Sequence, residues 1–320
     1  MKLLKKIFTL VILMICFFAK AQIFPEKPIH MIVPFPPGGG SDALARILVK
    51  KLQDISGQPY IIENKGGAQG SVGTSIGSKA NPDGYTITLI VQGAMAINPF
   101  IYGNVGYDVL KDFAPIIRAT EQSYILVANP KLPVNSLKDI EDMAKKSPGK
   151  LTFATSGAGP QLVGELFKLT SKIDLLHVPY KGAGPAVLAL LGGETDLMIS
   201  NPTSVVQQIK SGRLKGIAVL GKERNEAIPD VQNAVEAGFK ALSEIPEWYG
   251  FAAPTGTPTV IINKLNADFL KALMHPEVQK SIKDLGTNPS PSTPGEFSKQ
   301  IAFDYDRWGK VVKAAGVKAE

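Results

Sequence analysis

The chain switches between two hydrophobic periods along nearly its whole length. Short apolar runs of strand character lie at residues 30–33, 60–62, 86–91, 116–119, 124–128, 151–154, 175–178, 197–200, 216–219 and 251–253. Between them lie stretches with helical spacing. From Ser41 onward, Leu44, Ile47, Leu48, Leu52 and Ile55 form one apolar stripe, with Arg46, Lys50 and Lys51 off it. The same spacing predicts helices over 136–146, 161–171, 185–191, 205–210, 260–274, 276–285 and 295–315. Alternation of this kind predicts an α/β protein with mainly parallel sheets flanked by helices.

Two breaks divide the pattern. Residues 129–136 read as a surface connection ending in a helix cap, and the prolines near 229 and 246 bracket a return. This predicts a domain of residues 123–230 inserted into a discontinuous one made of 22–122 and 231–320. Two crossings would then join the domains beside a cleft.

Three glycine loops stand where strands give way to helices. In the first, Pro36 and Pro37 fix the backbone ahead of Gly38, Gly39 and Gly40, whose amides no side chain obstructs; Ser41 or Asp42 then caps the helix. Ser156-Gly157-Ala158-Gly159-Pro160 and Lys181-Gly182-Ala183-Gly184-Pro185 repeat the arrangement in the middle block. A helix N-terminus with free amides attracts anions, and in open parallel sheets these termini gather on one edge. A bare turn needs one glycine, not three, so the three loops together point to binding of a charged small molecule.

Composition narrows this further. Lys2, Lys5 and Lys6 precede an apolar run over residues 7–18, and Ala19-Lys20-Ala21 supplies the small residues read before cleavage. Residues 1–21 are therefore expected to be a cleavable signal peptide, the run falling short of the roughly 20 residues that span a bilayer. Bulky Ile15 before Cys16 argues against lipidation. Export removes four of the 35 basic residues and none of the 28 acidic ones, leaving 31 against 28 and a net charge of +3. With no Lys/Arg cluster, nucleic acid is not an expected partner. The one cysteine leaves with the signal segment, which excludes disulfides, thiolate metal sites and cysteine nucleophiles. No metal or other cofactor is expected.

Two enzyme readings compete. Gly38-Gly39-Gly40-Ser41-Asp42-Ala43 matches a dinucleotide fingerprint, with Glu63 ending the next strand. Pro34, Pro36 and Pro37 break the entry that fingerprint requires. A hydrolase is the other reading, but His30, His177 and His275 are the only histidines.

Longer motifs carry a family resemblance. Pro28-Ile29, Ile32-Val33-Pro34-Phe35-Pro36-Pro37-Gly38-Gly39-Gly40-Ser41-Asp42 and Leu44-Ala45-Arg46 are followed by Pro82-Asp83-Gly84-Tyr85-Thr86, Ala96-Ile97-Asn98-Pro99, His177-Val178-Pro179-Tyr180-Lys181-Gly182 and Trp308-Gly309-Lys310. In this order they resemble the Bug family of periplasmic solute-binding proteins, the binding components of tripartite tricarboxylate transporters. The resemblance covers essentially the whole mature chain. It implies a type II-like Venus-flytrap fold with no catalytic residues, closing as a monomer on a small organic carboxylate for delivery to membrane permease subunits. The ligand would be held by Gly38, Gly39, Gly40, Ser41 and Asp42 on one side, with Phe35 beside them, and by Ser156, Gly157, Gly159 and Gln161 on the other. Gln92, Gly93, Ala94, Tyr180, Gly182, Ala183, Ser200 and Asn201 would line the rest. An exported hydrolase or isomerase using the same cleft, or a sensor partner of a signalling receptor, are the alternatives.

The chain departs from the family pattern at three places. The Ser156 loop is shorter by about two residues and lacks a histidine, Ala94 and Met95 replace polar residues, and Ser200 stands where aspartate is common. Altered specificity is the expected consequence.

Overall fold

A computed structural model describes residues 24–315 apart from residue 244. The expected signal segment, 1–21, lies outside the described residues.

The first half opens β1(Ile29–Val33), α1(Gly40–Ser56), β2(Tyr60–Asn64), α2(Ser71–Ser78), β3(Thr86–Val91). A π-type turn, Gly93–Ile97, leads into the short α3(Asn98–Tyr102). The middle block runs β4(Phe113–Ala128), α4(Leu137–Lys146), β5(Thr152–Thr155), α5(Ala158–Ser171), β6(Leu176–Pro179), α6(Ala183–Gly192), β7(Leu197–Ser200), α7(Pro202–Lys210), β8(Lys215–Leu220). The return comprises β9(Pro246–Pro254), α8(Thr259–Leu273), α9(Pro276–Asp284), β10(Asn288–Pro289) and α10(Pro294–Ala315). This is a two-domain α/β fold.

β4 explains how the halves join. Its residues 113–123 pair antiparallel with β9, and from Tyr124 onward it pairs instead with β7 and β8. Sequence periodicity reads this segment as two strands, because Thr120, Glu121, Gln122 and Ser123 interrupt the apolar run. Pairing with Tyr249, Trp248, Glu247 and Pro246 keeps those polar residues in the ladder, and one sixteen-residue strand results.

The sheets are mixed rather than mainly parallel. β1 pairs parallel with β2 and β3, and β5 with β6 and β7, as strand–helix–strand units require. The other five pairings among the described residues are antiparallel. The cause is topological: β4 leaves the first half and β9 returns to it, so the two run in opposite senses.

Each half has its own core. Ile29, Met31, Leu44, Leu48, Phe251 and Phe269 anchor the first; Leu126, Phe153, Leu162, Phe167 and Ile199 anchor the second. The second core reaches beyond the expected 123–230. Ala234, Leu242 and Ile245 belong to it, as do Ile97, Ile101, Trp308 and Val312. Helix α10 therefore touches both regions, with Phe297 and Ile301 packed near Trp248 and its later turns in the second core. Helical spacing shows that α10 has an apolar stripe but not that its two ends serve different cores.

Candidate functional site

The first glycine loop is built around Asp42. Gly38 has φ +83, a conformation glycine adopts without strain, and its N–H donates to Asp42 Oδ2 at 3.0 Å. Arg46 Nε donates to the same oxygen at 2.9 Å, and Asn64 Nδ2 donates to Oδ1 at 3.1 Å and to the Phe35 carbonyl at 3.0 Å. Burial alone would raise the Asp42 carboxyl, but these hydrogen bonds outweigh it and hold it below the ordinary carboxylate value. The Asp42 side chain is thus committed to fixing the loop. Gly39, extended, is the cap of α1; Ser41 and Asp42, expected as caps, lie inside its first turn, because the helix starts at Gly40, and its first amides lie at the cleft.

The opposing wall comes from α5 and α6. Gly157 is the extended cap of α5, and Gly159 lies so close to Tyr124 that a Cβ there would sit 1.9 Å from Tyr124 Oη. Gly182 caps α6 and leaves room for Pro36, whose Cδ would be 2.8 Å from an added Cβ. Gly40 N donates to Ser204 Oγ at 3.0 Å, and Gln69 Nε2 to Gln161 Oε1 at 3.4 Å. The cleft lips touch.

Between them lies a narrow space that opens to solvent at its mouth. Phe35, Gly39, Gly40, Ser41, Gly93, Ala94, Ser156, Gly157, Gly159, Ala183 and Asn201, all among the residues named from the resemblance, line it. Other expected residues stand behind that lining. Gly38 and Asp42 shape the loop; Gln92 Nε2 reaches Asp304 Oδ2 at 3.5 Å; Gln161 meets Gln69; Tyr180, Gly182 and Ser200 lie outside the lining.

The floor holds residues that sequence reasoning misses. Tyr124, Glu247 and Tyr249 rise from β4 and β9, and Gln69, Val91, Ala158, Pro160 and Ser204 complete the lining. Tyr124 Oη donates to Glu247 Oε2, and Asn201 Nδ2 to Tyr249 Oη. Burial, reinforced by the charge of Asp304, raises the Glu247 carboxyl well above its ordinary value. Asp304 is itself raised by burial, although Trp248 Nε1 donates to it at 2.7 Å. Burial likewise raises the Tyr249 hydroxyl. Glycine motifs give no hint of this floor. The available signal is one acid inside an otherwise apolar strand, in Glu247-Trp248-Tyr249-Gly250-Phe251.

The competing enzyme readings find no support in these contacts. Glu63 binds His30 Nδ1 at 2.6 Å and Lys65 Nζ at 3.0 Å, away from the cleft lining. His177 Nε2 meets Thr155 Oγ1 at 2.7 Å and packs on Phe153, a core arrangement. Among the described residues no helix is long and apolar enough to cross a membrane, and no group of His, Cys, Asp or Glu is arranged to hold a metal ion.

Comparison with known proteins agrees with the geometry. Residues 44–317 match the model of the tripartite tricarboxylate transporter family receptors. Protein BugT of Bordetella pertussis is 38% identical over 301 residues, covering 93% of this chain and 92% of BugT. The structure of periplasmic binding protein BugD superposes with a TM-score of 0.88 at 34% identity, covering 93% of this chain and all of that one. MatC from Rhodopseudomonas palustris, with bound malate, gives 0.85 at 30% identity, covering 90% of this chain and all of MatC. The family is one of periplasmic binding receptors rather than enzymes. With the match spanning most of its length, this chain belongs to the tripartite tricarboxylate transporter receptor family as a solute-binding protein.

Proposed function

We propose that this protein is exported by removal of residues 1–21, captures a small organic carboxylate in the cleft, and hands it as a monomer to the permease subunits of a tripartite tricarboxylate-type transporter. The observation that carries this reading is the meeting of two glycine-capped helix N-termini, α1 and α5, on one cleft whose lining includes no lysine or arginine among the described residues. Amides and hydroxyls must then supply the recognition. Each charge-assisted hydrogen bond contributes roughly 1.5–3 kcal/mol. Four to six of them cover the ~8 kcal/mol of a micromolar complex after ordering costs. The malate in MatC is a ligand of this chemical class.

The ligand contacts are assigned to Phe35, Gly39, Gly40, Ser41, Gly93, Ala94, Ser156, Gly157, Gly159, Ala183 and Asn201. Gly38 and Asp42 act on the ligand only through the loop they hold. Closure follows from a ligand touching both halves, which favours the closed state by its difference in affinity for the two.

Gly39→Asp tests this directly. Gly39 has φ −85, and an added Cβ meets its nearest neighbours only at 3.9 Å, so a side chain fits without backbone strain. Its carboxylate would occupy the anion site. Melting temperature should stay near that of the parent while the ligand-induced melting shift with mono-, di- and tricarboxylates disappears. An unchanged shift removes this loop from the site.

A further inference from the structure

Glu247 is an acid in a cleft proposed to bind an anion, and the carboxylate clamp gives it no use. It is 3% exposed and lines the cavity. Among the described residues the one hydrogen bond to its carboxyl comes from Tyr124 Oη. Around it stand Tyr124 on β4, Tyr249 beside it on β9, Gly159 on α5 and Asp304 on α10, and the charge of Arg307 acts on Asp304. Among the described residues no cation is paired with it.

A second acceptor lines the same space. Gln69 Oε1 is buried and has no hydrogen-bond partner, at a residue held at φ +52. A buried acceptor left unpaired costs free energy unless something donates to it. The cleft lining thus offers amide donors from the glycine loops and, as a second set of groups, the acceptors of Glu247 and Gln69. A ligand with carboxylates alone satisfies the first and confronts an acid at the second. An ammonium group satisfies the second, since a charge partner is what makes a buried carboxylate tolerable.

We propose that Glu247 is a specificity residue that accepts hydrogen bonds from the ammonium group of an amino-carboxylate ligand, with Gln69 Oε1 as a further acceptor. This rests on the cleft being the ligand site, as proposed above. In the empty cleft, burial and Asp304 shift Glu247 toward holding a neutralising proton. The incoming ammonium takes over its neutralising role, so the carboxyl proton passes to solvent on binding.

The test uses pairs of acids that differ only in a 2-amino group: succinate and aspartate, glutarate and glutamate, propionate and alanine. Titration calorimetry in buffers of different ionisation enthalpy gives affinity and proton release together. The amino member of a pair should bind at least ~10-fold tighter, a difference of ~1.4 kcal/mol, and release a proton. In Glu247→Gln the preference should shrink to within ~3-fold and the proton release vanish. Equal or tighter binding of the amine-free acid, or an unchanged preference in Glu247→Gln, overturns the assignment while leaving the cleft as the site. If no member of any pair binds, the cleft reading itself fails and the role of Glu247 falls with it.

Discussion

The backbone N–H of Gly40 donates to the hydroxyl of Ser204 at 3.0 Å, joining the first turn of α1 to the first turn of α7 across the cleft. The approach depends on the missing side chain. An added Cβ at Gly40 would lie 1.8 Å from Thr203 Oγ1 and 2.7 Å from Thr203 Cβ. Rotation of the threonine relieves the first overlap but not the second. Gly40→Ala should therefore leave each half folded and hold the lips apart. A closed state made less favourable by ~1.4 kcal/mol weakens ligand binding about 10-fold. Small-angle scattering checks this: ligand should shrink the radius of gyration of the parent more than that of the variant at equal ligand concentration.

Asp42 supports a second prediction. Its oxygens accept from Gly38 N, Arg46 Nε and Asn64 Nδ2. Asp42→Asn removes the charge and leaves one oxygen to accept, at a cost of about 1–2 kcal/mol in urea unfolding at neutral pH. The Asp42 carboxyl is held below its ordinary value of 3.8, so the unfolded state binds the proton more readily. Its stabilisation is present above that value and is lost as pH falls through the lower folded value. The gap between parent and variant should close on acidification. A gap that widens toward low pH contradicts the hydrogen-bond assignment.

How much of this was legible beforehand differs between the walls and the floor of the cleft. The walls are local: proline followed by glycines, then an apolar stripe at helical spacing, predicts a strand–loop–helix turn without long-range information. The caps themselves are Gly39, Gly157 and Gly182, and not the Ser41 or Asp42 expected for α1. The floor is non-local. Tyr124 and Glu247 are 123 residues apart and meet because β4 and β9 cross between the halves. Nothing in either neighbourhood encodes the other. Asp42 shows a subtler limit, since an acid beside a glycine loop has the same appearance whether it faces a ligand or braces the loop. Only the positions of Arg46 and Asn64 distinguish the two.

Ser136 provides a control away from the cleft. It caps α4, its Oγ accepting from Asp139 N at 3.1 Å while Asp139 Oδ2 accepts from Asn135 N at 2.8 Å. Ser136→Ala should cost about 1 kcal/mol of stability, typical of a lost cap. Ligand affinity should not change. A loss of binding in this variant would mean that α4 communicates with the site.

The strongest stability prediction concerns Glu247 without ligand. Its folded carboxyl is raised well above the ordinary 4.5 by burial and by Asp304, whereas in the unfolded chain it titrates near that ordinary value. Below 4.5 both states hold the proton and Glu247 costs little. Above it the unfolded state ionises first, so stability falls as pH rises, by at most ~1.4 kcal/mol per unit, until the folded carboxyl also ionises. Glutamine has the same shape and no such titration. Glu247→Gln should therefore match the parent near pH 4.5 and exceed it by a growing margin toward pH 7. The Asp42 effect runs the other way with pH, but it is present in both proteins and cancels in their difference. Paired urea unfolding across this range provides the measurement. A margin that shrinks as pH rises would show that the Glu247 carboxyl is ionised and stabilised in the empty cleft by a cation, and an amino-carboxylate would then gain nothing from it.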